Sequence, residues 1–397
     1  LLMLPTMKGA RFGGKSSETI PGLDSVGLVL DSTEEHPSQR RRQKGRFHVP
    51  ATLDQVPPHP MEKGYHKPLT HPYVFVDGCV QIWSDADFAT LNDHAVTAYC
   101  ITAFRPHDDS GNALEAITDW YRIAETYDGV RLAFTAADIV AAKKQGQAAI
   151  VLASQGGDFL GQNIHRLKVF HRLGLRMMIP AYNSRSPLGD GCLEAANSGL
   201  SALGQAWVAE CNRLGVLMDL THTGERTTLE ILERTNKPVV FSHSNPKTLV
   251  DTPRAITDEQ IERCAATGGL IGVTNWGPLN FSAEMTARPT LENFLDALDY
   301  TIDKVGIDHI GIGTDMSHGT YPDGDLVRNR PAAATGRYAK HVEGNLRSRQ
   351  RHVAGFDDYG QLLDVVEAMQ KRGLSEADVK KILGGNWLRV FEEVWST

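Results

Sequence analysis

Short apolar runs that close on a polar residue alternate with amphipathic segments from residue 73 onward. Segments between them repeat apolar residues at helical spacing, as at 200–215, 227–236 and 257–269. Nearly continuous apolar strands suit a parallel sheet covered on both faces, so the alternation predicts an α/β fold, a (β/α)8 TIM barrel. An open doubly wound sheet is the alternative, but no Gly-x-Gly-x-x-Gly follows the first run. Eight runs read as strands, and they lie at 73–78, 96–104, 148–154, 175–182, 215–222, 238–243, 269–276 and 309–315.

The ends of the chain differ from this pattern. Residues 1–72 are rich in Gly, Pro, Ser, Lys and Arg, and this composition predicts an extended arm on the body or on a partner subunit. Residues 73–397 are predicted to form one barrel domain, in which 356–395 supplies two or three amphipathic helices on the barrel exterior. The basic segment 317–355 is predicted to be a lid over an anionic substrate or a subunit contact.

Composition narrows the function classes. Hydrophobic residues make up 41% and charged residues 22% of the 397 positions, as in ordinary globular enzymes. The net charge of −7 argues against a nucleic-acid partner. No apolar run reaches the roughly 18 residues of a membrane span, and the first residues do not resemble a secretory signal. Five cysteines without a Cys-x-x-Cys pair favour free thiols and a cytoplasmic location.

Polar residues follow the predicted strands, at the end where a TIM barrel builds its active site. His222 and His243 follow adjacent strands, so their ring nitrogens could converge on one ion. The alternative is that each histidine is simply hydrogen-bonded at the barrel mouth. The polar residues at these strand ends are Asp77, Gln155, Tyr182, His222, His243, Asn275 and Asp315.

Several motifs resemble the membrane (renal) dipeptidase family of the amidohydrolase superfamily. They include Met-Asp-Leu-Thr-His-Thr at 218–223, Pro-Val-Val-Phe-Ser-His-Ser at 238–244 and Gly-Ile-Gly-Thr-Asp at 311–315. The resemblance covers about residues 73–397. It implies a (β/α)8 barrel, usually with two zinc ions, that cleaves dipeptides or related small amides, and a homodimer or larger homo-oligomer.

Four residues match functional positions of that family. His222 and His243 match the histidines that hold one zinc ion together with a bridging glutamate. Asp315 matches the aspartate that acts on the nucleophilic water, and Arg254 matches the arginine that grips the substrate carboxylate. A structural alternative for Arg254 is a helix-start arginine, and for Asp315 a carboxylate bonded to loop amides.

Other positions depart from the family pattern. The first strand carries Cys79 and Gln81 where the family has a zinc-binding His and Asp. Gln155 replaces the bridging glutamate, and Tyr182 replaces a histidine that polarises the substrate carbonyl. A neutral amide is a poor zinc ligand, so the sequence predicts one zinc ion or none, on His222 and His243 with Gln155 or Asp315. Cys79 is either a thiolate ligand or buried packing.

These residues predict a dipeptidase-like hydrolase of a small amide or dipeptide that bears a free carboxylate. Asp315 is the expected base, and Tyr182 is expected to donate a hydrogen bond to the developing oxyanion. Substrate contacts are assigned to Arg254, Tyr182, Asn275 and Arg185. A metal-independent acid–base enzyme and a non-catalytic binding protein are the alternatives.

Overall fold

The computed structural model describes residues 69–319 and 349–395. The strands are β1 Val76–Ile82, β2 Ala98–Thr102, β3 Val130–Leu132, β4 Ala148–Ser154, β5 Leu175–Met178, β6 Leu217–Met218, β7 Val240–Phe241, β8 Leu270–Val273, β9 Ile310–Ile312 and β10 Met316–His318. The helices are α1 Ser110–Thr126, α2 Ala136–Gln145, α3 Arg166–Arg172, α4 Ala202–Leu214, α5 Glu225–Arg234, α6 Asp258–Ala266, α7 Leu291–Val305, α8 Leu362–Lys371, α9 Glu376–Lys380 and α10 Asn386–Trp395. Much of the predicted 1–72 arm and of the 317–355 loop lies outside the described residues.

The strands form a parallel barrel. Their order is β6-β5-β4-β2-β1-β9-β8-β7, and the short strands β3 and β10 pair with β4 and β1. An isolated parallel bridge between Asp219 and Val240 joins the two ends of this order, and Leu220 N donates to Val240 O at 2.7 Å. The predicted (β/α)8 barrel is confirmed, with all eight predicted runs contributing strands.

A β-bulge in β1 changes which residues face the barrel mouth. Asp77 pairs with Tyr99 and Val80 with Ile101, so β1 holds one more residue than β2 over this stretch. A bulge of this kind re-aims side chains, and it separates Asp77 from Cys79. Strand β1 runs to Ile82, four residues beyond the predicted end at 78, because Val80, Gln81 and Ile82 pair with β10.

The C-terminal helices close the end of the barrel away from the mouth. Trp387 of α10 shares a buried cluster with the strand residues Ala98 and Leu270. A Cβ atom at Gly78 or Gly311 would overlap the Trp387 ring, so these two strand positions require glycine. The segment 356–395 was expected to pack on the barrel exterior. The Trp387 ring differs from this expectation, because it inserts among the buried strand residues.

Helix ends follow local sequence rules. Helix α6 begins after Thr257, whose hydroxyl accepts from Gln260 N while the Gln260 side chain returns to Thr257 N. The two reciprocal hydrogen bonds form a capping box. Gly268, at φ +82°, follows the helix. None of the helices in residues 69–319 and 349–395 combines the length and apolarity needed to cross a membrane.

Candidate active site

His222 and His243 meet at the barrel mouth. Their Nε2 atoms lie 3.1 Å apart, and His222 Nδ1 contacts Asn183 Oδ1 at 2.7 Å. The Nδ1 atom of His222 is thus held by Asn183 and that of His243 by Ser242, and these contacts fix the orientation of each ring. A proton taken up by either Nε2 atom can be shared with the other, so the pair can act as one base.

Three residues of this site have left-handed backbone conformations. The φ angles are +63° at His222, +53° at Asp315 and +62° at Asn183. Such conformations cost of order 1–3 kcal/mol each for residues other than glycine, and they persist where surrounding structure enforces them. Their occurrence together at one barrel mouth marks this region as the functional end of the barrel.

A buried relay holds His243 from behind. Ser242 Oγ lies 2.7 Å from His243 Nδ1 and donates to Asp219 Oδ2 at 2.5 Å. Burial raises the pKa of Asp219, although hydrogen bonds from Ser242 and Thr221 oppose that shift. His243 is therefore oriented by a hydroxyl and a carboxylate.

The carboxylate of Asp315 is held by two side chains. Gln81 Nε2 donates to Asp315 Oδ1 at 2.7 Å, and Arg351 Nη2 donates to Asp315 Oδ2 at 3.1 Å. Arg351 is 2% exposed and Asp315 is 6% exposed, so the ion pair is buried. Arg351 is separated from the barrel strands by the long loop, and no spacing in the sequence indicated this contact.

Cys79 lies beside the histidine pair. Gln155 Nε2 donates to Cys79 Sγ at 2.9 Å. The thiol, a ring nitrogen of His243 and a carboxylate oxygen of Asp315 all lie within 4.8 Å of one another. Burial, and then the negative charges of Asp315, Asp219 and Asp77, raise the pKa of Cys79 well above its usual value.

Asp77 does not lie at the mouth. Its carboxylate accepts from Thr314 N and Oγ, Tyr359 OH and Cys79 N, and it is fully buried. Burial raises the pKa of Asp77 to about 6. The residue fixes the loop after β9, which carries Asp315, and it does not face the histidines.

The donor set does not fit two zinc ions. Gln81 and Gln155 present amide hydrogens to Asp315 and Cys79, the two groups that would bind a metal. Arg351 adds a guanidinium charge beside the same carboxylate. A second ion would have to displace these donors, and neutral amides are weak zinc ligands. One three-donor cluster remains among the described residues, formed by Cys79, His243 and Asp315.

Tyr182 packs against His222. Its ring centroid is 4.2 Å from that of His222, at an angle of 32° between the planes. The predicted site residue thus lies beside one member of the histidine pair. Gln155, the predicted metal ligand, contacts Cys79.

Arg254 lies directly behind the site. It is 3% exposed, and its guanidinium donates to His243 O and Ser244 Oγ, each at 3.3 Å. Its Nε atom is buried and has no hydrogen-bond partner among the described residues. An unsatisfied guanidinium N–H in a polar site can donate a hydrogen bond to an anionic ligand.

Arg185 and Asn275, two predicted substrate contacts, have hydrogen-bond partners within the protein. Arg185 forms a two-point ion pair with Asp190, at 2.6 and 3.2 Å. Asn275 Nδ2 donates to Phe356 O at 2.6 Å, while Asn275 Oδ1 is buried without a partner among the described residues. The structure thus joins His222, His243, Gln155 and Asp315 around Cys79, which sequence reasoning treated as ligand or packing.

Sequence reasoning did not assign a role to four residues of this centre. Asn183 and Ser242 hold the two histidines, Asp219 accepts a hydrogen bond from Ser242, and Arg351 holds Asp315. Asn183 and Ser242 each stand next to a predicted site residue, which was the available signal. Arg351 had no such signal.

Comparison with known proteins identifies relatives. A family model described as Membrane dipeptidase (Peptidase family M19) matches residues 77–326 and 343–397, well over half of the chain. The chain is 29% identical to Dipeptidase tcpJ of Claviceps purpurea (strain 20.1) over 297 residues, which is 72% of this chain and 61% of that dipeptidase. The chain thus spans about three fifths of the length of that relative.

Solved structures agree with this similarity. An amidohydrolase from Pseudomonas aeruginosa aligns with a TM-score of 0.70 and 29% identity, over 82% of this chain and 97% of that chain. A metallo peptidase from Rhodobacter sphaeroides, liganded with a phosphinate mimic of the dipeptide L-Ala-D-Ala, aligns with a TM-score of 0.60 and 24% identity, over 73% of this chain and 76% of that chain. The second likeness supports the fold alone.

Proposed function

We propose, because this chain belongs to the membrane dipeptidase family (Peptidase family M19), that it hydrolyses a dipeptide or small amide bearing a free carboxylate. The observation that supports this proposal is the buried cluster of Cys79, His243 and Asp315 at the barrel mouth, with Arg254 directly behind it. A proton acceptor and a cation thus lie close enough to act on one small substrate.

Asp315 accepts the proton of the attacking water in this proposal. Gln81 and Arg351 bind its two oxygens and hold the carboxylate in one orientation. Tyr182 donates a hydrogen bond to the oxyanion that develops on the substrate carbonyl. Proton transfer by a positioned carboxylate typically contributes 10²–10⁴-fold to the rate.

Arg254 binds the substrate carboxylate, and Arg185 and Asn275 remain proposed outer contacts. The buried Nε–H of Arg254 supports its role, because a carboxylate would satisfy it. Arg185 would have to leave Asp190 to bind a substrate, so its contribution is the smaller one.

We propose one zinc ion or none in each chain. The family's metal centre, when present, supplies an activated water and polarises the carbonyl. The residues here fit one ion at most, on His243 with its neighbours, and Arg351 already supplies a positive charge at Asp315. That charge favours the second candidate, a metal-independent acid–base enzyme in the same barrel.

The proposal is tested with a library of unblocked dipeptides and mass spectrometry of the products. The full chain, as purified and after treatment with a chelator, is compared with Asp315→Asn. We expect turnover by the wild type and a loss of about 10²-fold or more in a folded Asn variant. Absence of turnover from every dipeptide would favour a non-catalytic binding protein. Unimpaired turnover by Asp315→Asn would exclude Asp315 as the base.

Three wider assignments stay predictions. Residues 73–397 are proposed to be one domain that follows an arm over 1–72, and the chain is proposed to form a homo-oligomer. A cytoplasmic location is supported by five free cysteines, four of them buried.

A further inference from the structure

We propose that Cys79 is a catalytic nucleophile and that the hydrolysis proceeds through a thioester on its sulfur. This inference rests on the proposed hydrolase function and names the mechanism of the same site. It follows from four neighbouring groups that together supply a nucleophile, a base, an orienting relay and an oxyanion donor.

The nucleophile and the base are adjacent. Cys79 Sγ and a ring nitrogen of His243 lie within 4.8 Å of each other, and both residues are almost fully buried. Hydrogen bonds of catalytic groups are often long before the substrate binds, so this separation is compatible with proton transfer. His222 Nε2, 3.1 Å from His243 Nε2, can share the proton that His243 accepts.

The base is oriented from behind, as covalent catalysis requires. Ser242 Oγ contacts His243 Nδ1 and donates to Asp219, which leaves the other ring nitrogen of His243 for proton transfer. Ser242 and Asp219 are therefore positioning residues. A mechanism in which a metal-bound water is the nucleophile would not need the Cys79 thiol of β1.

Gln155 is placed to be a second oxyanion donor, in addition to Tyr182. Its Nε2 atom is 2.9 Å from Cys79 Sγ, so a carbonyl carbon bonded to this sulfur would bring its oxygen near the amide. A glutamine amide can donate to such an oxyanion, whereas the family's glutamate would repel it. Cys79 and Gln155 are both departures from the family's metal pattern, and both suit thiol chemistry.

The steps balance. The Cys79 sulfur bonds to the substrate carbonyl carbon while its proton moves to His243, and Gln155 donates to the oxyanion. The C–N bond then breaks, and the leaving nitrogen takes the proton from His243. Water attacks the thioester, its proton passes to Asp315, and the C–S bond breaks. The sulfur then takes this proton from Asp315, which returns the thiol and the carboxylate to their starting states, and the acid product leaves.

The probe has to suit a buried thiol. Cys79 is 4% exposed, so bulky alkylating agents reach it poorly. The suitable probe is a small electrophile that resembles a substrate.

The experiment uses alanine nitrile labelled at the nitrile carbon, the full chain, and Cys79→Ala, Cys79→Ser and Cys264→Ser. Cys264 is a buried thiol on α6 and serves as the matched control. Addition of the thiol across the nitrile gives a thioimidate, which is detected by carbon NMR and by intact mass. We expect this adduct in the wild type and in Cys264→Ser, and its absence from both Cys79 variants.

Dipeptide turnover is measured on the same proteins after chelation, with thermal unfolding as a check of folding. We expect the wild type to retain turnover and Cys79→Ala to lose at least roughly 10³-fold. Turnover without an adduct, or turnover in Cys79→Ala within tenfold of wild type, would overturn the nucleophile. Turnover lost on chelation and restored by zinc would also overturn it. An adduct without any dipeptide turnover would instead overturn the proposed function and leave the nucleophile in place.

Discussion

Arg351 Nη2 lies 3.1 Å from Asp315 Oδ2 and 2.7 Å from the Asp315 backbone oxygen. The Arg351 guanidinium therefore neutralises the Asp315 carboxylate. Asp315 matches the family's aspartate that acts on the nucleophilic water. Because the pair is buried, the cation is part of the folded centre and is not easily replaced by a solvent ion. This contact distinguishes the site from the dinuclear pattern implied by the family resemblance.

Removal of the Arg351 charge should destabilise the protein and make the site more receptive to metal. Arg351→Gln leaves a buried carboxylate without its cation, which typically costs about 3–5 kcal/mol. Urea unfolding measures this loss, and calorimetric titration with zinc measures the metal affinity. The double variant with Asp315→Asn should recover part of the lost stability. If the two losses simply add, the residues are not coupled.

The purified protein should carry no more than one tightly bound divalent ion per chain. Elemental analysis after purification without chelator measures the ratio. Gln155→Glu restores the family's anionic ligand beside Cys79 and should raise zinc affinity. The same variant should be less stable without zinc, because its new charge joins those of Asp315 and Asp219. Two fully occupied zinc sites in the wild type would contradict the expectation.

Arg254→Ala should raise the KM for the eventual substrate about tenfold or more, with a smaller change in kcat. The reason is the loss of a guanidinium fork that suits a carboxylate. Steady-state kinetics on the best dipeptide measures the effect, and Arg254→Lys keeps the charge as a control. Since Arg254 also donates to His243 O, thermal unfolding must be followed in parallel. KM and kcat both within twofold of wild type would exclude the binding role.

Asp77 should make stability fall as pH rises between about 4 and 6. Its pKa is about 6 when folded and 3.8 in the reference state, so the native protein binds the proton more tightly. Asp77 therefore contributes to the free energy of unfolding below pH 3.8, and this contribution is lost above about pH 6. The difference is up to about 3 kcal/mol. Urea unfolding of the wild type and Asp77→Asn measures it. If the difference in unfolding free energy between the wild type and Asp77→Asn did not change with pH, the raised pKa of Asp77 would be wrong.

Some features were predictable because they depend on local pattern. The Thr257 cap and the eight apolar runs follow from neighbouring residues and from burial on a parallel sheet. The adjacency of His222 and His243 was predictable too, because side chains after neighbouring barrel strands face the same mouth. The β1 bulge was not predictable, since an extra residue in one strand is defined only by its partner strand.

The barrel, the family and the replacement of carboxylates by Gln81 and Gln155 can all be read from the amino-acid sequence, because strand alternation and residue chemistry are properties of the chain alone. The contacts that the replaced residues make come from the folded structure. Arg351 reaches Asp315, and Gln155 reaches Cys79, across 36 and 76 positions of the chain. Such contacts depend on how distant segments pack, and no periodicity or local propensity records them.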